Sequence, residues 1–218
     1  MKYSLFILSF LFLGLHFSFG ETRLGNYYFG FEVSRIDHSR SYLESNGTST
    51  ELKNREMDGV SLNLALNLPL SDSFDLKLAV NRSDFSDDNK SDHLNKASAD
   101  LIFRYNRIKR DTGFILPFAG LGLLYTEYHN HKEKFHAVLQ TGAEIYLHES
   151  FTLTPRFNYI HSLLKQEWNH PEISENDFKF DLSLTWLATR KHALSLGFSK
   201  HVDSEVSTFG IEYLHSWK

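Results

Sequence analysis

Hydrophobic residues recur at every second position through most of this chain, and that period constrains the fold more than any other feature. The clearest case runs from Val60 through Leu62, Leu64, Leu66 and Leu68, interleaved with Ser61, Asn63, Ala65 and Asn67. Side chains alternate faces along an extended strand, so such a segment buries one face in apolar surroundings and turns the other to a polar one. The same alternation marks Tyr27 to Val33, Phe74 to Asn81, Ser98 to Asn106, Phe118 to Tyr125, Leu139 to Leu147, Phe151 to Tyr159, Phe178 to Trp186, Leu194 to Phe198 and Thr208 to Trp217. Ten strands are counted in this way. If the last hairpin is discounted, eight remain.

Between these segments, polar stretches alternate in length. Longer ones follow the first, third, fifth and seventh strands: about Ile36 to Glu56, Phe85 to Asn95, His129 to Lys134 and Leu164 to Asn176. Connections of a few residues follow the second, fourth, sixth and eighth, at Pro69 to Ser73, Ile108 to Thr112, His148 to Ser150 and Ala188 to Lys191. An antiparallel sheet of this kind has long loops at one end and tight turns at the other. Strands of about 9–11 residues are long enough to cross a bilayer at a tilt.

The start of the chain has a different character. Lys2, the apolar run Leu5 to Leu15 and the small residues Ser18 and Gly20 have the layout of an export signal, with cleavage expected after Gly20. The mature domain is then residues 21–218. The apolar run falls short of the roughly 20 residues a membrane helix needs. The chain has 23 Lys and Arg against 27 Asp and Glu, a formal charge of −4, and no cysteine. This balance is too acidic for a nucleic-acid partner, and the missing cysteines exclude a disulfide framework. Aromatic residues make up 15% of the chain, including 19 Phe and 10 Tyr, yet its mean hydropathy is negative. A membrane barrel produces that combination, because only alternate residues meet lipid.

The last strand, TFGIEYLHSWK, puts Phe209, Ile211, Tyr213, His215 and Trp217 on one face and Glu212 on the other. It resembles the closing strand of bacterial outer-membrane β-barrels, and PFAGLGLLY (residues 117–125) resembles a recurrent strand of small members of that family. The resemblance implies an all-β, antiparallel, up-and-down transmembrane barrel in the outer membrane of a Gram-negative bacterium. It further implies contact with outer-membrane lipid and lipopolysaccharide, and handling by the outer-membrane assembly machinery. In that family the C-terminal pattern is the assembly signal, here Phe209, Ile211, Tyr213 and Trp217. This chain departs from the pattern in placing Lys218 after the aromatic residue and His215 at a usually apolar position.

A soluble lipocalin-like barrel shows the same alternation turned inside out. Lipid is favoured as the surroundings because the apolar set is unbroken and ends in Tyr or Trp at Tyr105, Tyr125, Tyr159, Trp186, Tyr213 and Trp217, as an interfacial girdle requires. The opposite face then lines a lumen and carries Glu32, Asp75, Lys77, Asp100, Arg104, Glu144, Arg156, Lys179, Asp181 and Glu212. Charges crowded into a barrel of this size are expected to pair and to plug it; a narrow cation-preferring channel is the alternative.

No cofactor, metal or catalytic site is expected. His129, His131 and His136, with His38, His93, His170 and His201, lie in or near predicted outer loops without a ligand motif. His161 and Ser162 are adjacent and therefore point to opposite faces of a strand, which is unsuited to a nucleophile and its base. Asp84, Asp87, Asp88, His201 and Asp203 faintly resemble the rim residues of outer-membrane proteases, without matching their spacing. The expected role is structural, as a surface anchor or adhesive scaffold without enzymatic activity; after the channel, a rim hydrolase acting as protease or lipid deacylase is the second alternative.

Overall fold

The computed structural model describes residues 27–45, 50–87, 90–105, 108–110, 113–128, 132–163, 176–202 and 206–217. The predicted export signal, residues 1–20, lies outside them. The strands are β1 (Tyr28–Ser45), β2 (Thr50–Pro69), β3 (Phe74–Asp87), β4 (Lys90–Arg104), β5 (Ile108–Arg110), β6 (Gly113–Tyr128), β7 (Lys132–His148), β8 (Phe151–Ser162), β9 (Asn176–Leu187), β10 (His192–His201) and β11 (Val206–Ser216). Each pairs antiparallel with its neighbours, and the ends of the sheet meet: β1 pairs with β11, and β4 with β6. Closure pairs every wall strand on both sides and leaves the barrel without an edge. Ten strands form the wall. The three-residue β5 is an addition, paired among the described residues with the start of β6, within the segment expected to be a plain turn.

The exterior is apolar, and the alternation in the sequence dictates this. Leu121 and Leu123 are 62% and 58% exposed, and Phe31, Val60, Leu64, Phe157, Phe198, Phe209 and Ile211 are also open on the outer surface. Their neighbours along the strands, such as Ser34, Ser61, Ser83, Gln140, Asn158 and Ser195, are buried on the inner face. A water-soluble barrel would show the opposite arrangement, since exposing a continuous apolar belt to water costs free energy in proportion to its area. This exterior is built for lipid.

Aromatic side chains edge the belt at both ends. Phe74, Phe103 and Tyr105 follow one another with ring centroids 4.9 Å apart at the tight-turn end, where Tyr27 also meets Trp217 at 6.3 Å. Tyr125 with Phe135 at 5.1 Å, and Tyr159 with Phe178 at 5.0 Å, stand toward the opposite end. The six aromatic residues expected to form a girdle all face outward. Tyr105, Trp186, Tyr213 and Trp217 belong to the lower ring, and Tyr125 and Tyr159 to the upper.

The long connections differ from expectation. Residues 36–45 and 50–56, read from the sequence as loop, continue β1 and β2 until Ser45 faces Thr50. Likewise β3 and β4 continue to the pair Asp87–Lys90 in place of a loop over Phe85 to Asn95, and Tyr128 faces Lys132. The physical reason is that outside the lipid both faces of a strand are polar. The hydrophobic period therefore vanishes although the backbone ladder persists. β1 pairs with β11 only as far as His38, and β2 with β3 only as far as Asp58. Beyond those points, among the described residues, β1 and β2 pair only with each other, as a two-stranded ribbon rising from the wall.

Candidate functional site

The lumen collects the charged side chains. All ten residues predicted for its interior lie on inward-facing positions of β1, β3, β4, β7, β8, β9 and β11, as the register pairs Glu32 with Glu212, Lys77 with Asp100 and Arg156 with Asp181 show. They do not form one network.

At the tight-turn end, Arg104 holds Asp75 through two nitrogens, each 2.7 Å from Oδ2, and also pairs with Glu144. Tyr146 donates to the second carboxylate oxygen of Glu144 at 2.7 Å, and its ring stacks on Phe114 with centroids 3.8 Å apart. The side chains of Asp75 and Arg104 are only 5% and 10% exposed. β4 carries Arg104 to this position because it neighbours β3 directly and reaches β7 across the single strand β6. A guanidinium with its planar set of donors can serve two carboxylates at once.

In the middle of the lumen the arrangement changes. Glu32 accepts a hydrogen bond from Asn63 at 3.2 Å, and Asp100 accepts one from Ser98 at 3.4 Å. Arg156 lies 5.6 Å from the centre of the Phe118 ring, and its Nε is without a hydrogen-bond partner. Among the described residues, Glu32, Lys77, Asp100, Arg156 and Glu212 make no ion pair within 4.0 Å. The expectation that every inner charge pairs therefore holds for Asp75, Arg104, Glu144, Lys179 and Asp181 and fails for these five. Glycine supplies the reason. A Cβ on Gly30 would lie 2.5 Å from Glu212 Oε1, one on Gly210 2.6 Å from Glu32 Oε1, and one on Gly122 would overlap Asp100 Oδ1. The three carboxylates lie flat over glycines of the neighbouring strands and are held against the wall, away from the bases.

Toward the other end Lys179 pairs with Asp181 at 2.8 Å, and Asn158 donates to the same carboxylate at 2.7 Å. Asp177 bonds His201 at 2.6 Å. His136, 2% exposed, bonds Thr126 at 3.3 Å. Asp177, Thr126, Tyr146 and the inward residue Lys96 are not among the lumen residues expected from the sequence. Extending the alternation of Lys179 and Ser98 by one step toward the N-terminus would have found Asp177 and Lys96.

Among the described residues the catalytic and metal candidates lie apart. His161 points outward and bonds Asn176 at 2.6 Å, while Ser162 sits opposite the inward His136. Asp84 is on the outer surface with Arg82, 3.2 Å away, and three strands separate its β3 from the β10 of His201. Asp87 ends β3; Asp88, His129, His131, His170 and Asp203 lie outside the described residues. His38 is in β1 opposite Met57, and His93 in β4 opposite Asp84. Among the described residues no three His, Asp or Glu side chains converge on a metal position. Phe209, Ile211, Tyr213 and Trp217, expected to form an assembly signal, all project from the outer wall.

A closed ten-stranded antiparallel wall with apolar outside, charged inside and aromatic rings at both rims is the fold of an outer-membrane β-barrel. Solved structures share it. The chain superposes on the transport unit of the autotransporter AIDA-I from Escherichia coli with TM-score 0.52 and 9% identity, over 99% of both chains. The translocator domain of the autotransporter NalP from Neisseria meningitidis gives 0.51 at 9% identity, over 99% of this chain and 94% of that one. An outer-membrane channel from Pseudomonas putida F1 gives 0.51 at 12% identity, over 87% and 95%. No protein-family model and no curated protein matches the sequence.

Proposed function

We propose that this protein is a non-enzymatic surface anchor of the bacterial outer membrane. Its wall holds the β1–β2 ribbon outside the cell, where it offers the largest surface for contact with a partner, and its lumen is closed at the periplasmic end. The observation that carries closure is the Arg104 clamp, nearly shut off from solvent and bonded to Asp75 and Glu144. A barrel of this width can be filled by its own side chains. Short turns at the clamp end and the ribbon at the other orient the clamp toward the periplasm. Lipid and lipopolysaccharide surround the belt, and the assembly machinery receives the outward aromatic face of β11.

A narrow channel is the second reading, favoured by the five central charges without ion pairs. Conductance of the refolded protein in planar bilayers separates the two. A surface anchor gives no steady single-channel steps, and Arg104→Ala opens them by removing the clamp. Steady steps from the unaltered protein overturn closure. Loss of binding to host-cell or bacterial surfaces on deletion of residues 39–56, in a barrel that still shifts on gels when heated, tests the role of the ribbon.

A further inference from the structure

Two imidazoles share the outward face of the barrel at its tight-turn end. His192 opens β10 and His215 stands near the end of β11, directly opposite in the register and both on the outward face at the tight-turn end. Their ring centroids are 4.9 Å apart, and their Nδ1 atoms lie 3.4 Å from each other. Directly opposed positions on one face of an antiparallel pair bring Cβ atoms to about 4.5–5.5 Å, so two imidazoles there can aim at a common point. With both rings neutral, two Nδ1–H groups facing one another would repel, so at least one Nδ1 lone pair is directed into the shared space.

We propose that His192 and His215 form a two-imidazole site for a divalent transition-metal ion on the outer surface of the barrel. Metal–nitrogen bonds of about 2.0–2.1 Å at a tetrahedral angle place two ligand nitrogens about 3.3–3.4 Å apart, which is the separation found here. Imidazole selects zinc, copper or nickel over calcium and magnesium, and copper binds such nitrogen sites most tightly of the three. Both rings are partly exposed, so an ion can enter from the membrane–water interface. Because no third His, Asp or Glu converges here among the described residues, water completes the coordination.

Tyr213 has a defined part in this arrangement. Its hydroxyl lies 2.6 Å from Nδ1 of His192, too close for it to be a neighbouring ligand of the same tetrahedral ion. In either tautomer this hydrogen bond engages the His192 nitrogen and must break when metal enters. The hydroxyl competes with the ion, and removing it favours binding.

The test uses the full-length protein, without an appended histidine tag, folded in detergent micelles and titrated with Cu²⁺. Copper paramagnetic resonance is expected to show coupling to two nitrogens. Calorimetry is expected to show affinity at least about tenfold weaker in His192→Gln and in His215→Gln, the loss of a ligand exceeding that of a supporting residue. His161→Gln, on the same outer surface, leaves binding unchanged, and Tyr213→Phe keeps or raises it. Heat-shifted gel mobility confirms that each variant is folded, and the nitrogen coupling of the unaltered protein stands whether or not a variant folds. Absence of two-nitrogen coupling, unchanged affinity in both His192 and His215 variants, or an equal loss in His161→Gln overturns the site. Weaker binding in Tyr213→Phe overturns the geometry assigned to the hydroxyl.

Discussion

The base and the middle of the lumen contain the same kinds of residue and resolve them differently. At the base Arg104 joins Asp75 and Glu144 in a dry cluster closed by Tyr146. Higher in the lumen, Lys77 has Arg156, Glu212, Asp100 and Glu32 as its charged neighbours, and among the described residues none of the five forms an ion pair. What differs is the neighbouring wall. In the middle, Gly30, Gly210 and Gly122 leave shelves on which the carboxylates lie flat. Where a carboxylate resting on a shelf stays in reach of water, its charge is screened and it has no need of a partner. In a dry cluster a lone charge is costly, so the base pairs.

The largest expected effect breaks the base. Arg104→Ala leaves Asp75 and Glu144 buried side by side without a cation, a change of the kind that costs about 3–5 kcal/mol. The urea midpoint of the refolded barrel in micelles is expected to fall accordingly, or the variant fails to refold. Replacing Arg104, Asp75 and Glu144 together by apolar residues of similar size is expected to restore most of the loss, because no charge is then left unpaired. A cost below about 1 kcal/mol for Arg104→Ala would place the base in the same screened regime as the middle.

Two glycines sharpen the comparison from the side of the wall. A Cβ on Gly142 would overlap the carbonyl oxygen of Pro155 and stand 2.6 Å from the Phe118 ring. The backbone cannot yield as the tip of a side chain can, so Gly142→Ala is expected to cost about 1–3 kcal/mol through overpacking. A Cβ on Gly197, also inward, meets nothing within 4 Å. Gly197→Ala is expected to be neutral or to stabilise by up to about 1 kcal/mol, because alanine restricts the unfolded chain. Equal urea midpoints for the two variants would show that the wall around Gly142 relaxes freely.

The wall was legible in the sequence because lipid imposes the alternation. Wherever one face meets hydrocarbon, as from Val60 to Leu68, inward and outward residues can be assigned by parity alone, and this placed all ten lumen charges and the outward face of β11. Parity carries no information where both faces meet water, so it does not reveal the strand extensions beyond His38 and Asp58. Nor does it say how far a side chain reaches along the wall. The clamp of Arg104 depends on β4 and β7 flanking β6, and the shelves depend on which glycine falls beside which carboxylate in the neighbouring strand. Both belong to register between strands, and the period within a strand is silent about it.

The smallest expected effect lies at the centre of the lumen, and it decides whether the middle is screened. Lys77 faces Asp100 across the β3–β4 ladder, with Glu212, Glu32 and Arg156 as its other charged neighbours. If water screens these groups, removing the ammonium subtracts only weak attractions to three carboxylates and a weak repulsion from Arg156. Lys77→Met keeps the length of the side chain and is expected to change stability by less than about 1 kcal/mol, the ordinary range for solvated charge pairs. The difference between Lys77→Met and the unaltered protein should also shrink between 0.05 and 1 M salt, roughly tracking the fall of the screening length to about 3 Å. A loss comparable to that of Arg104→Ala, insensitive to salt, would mean that the middle is as dry as the base. The central charges would then hold the lumen shut together with the clamp, and the channel reading would lose its support.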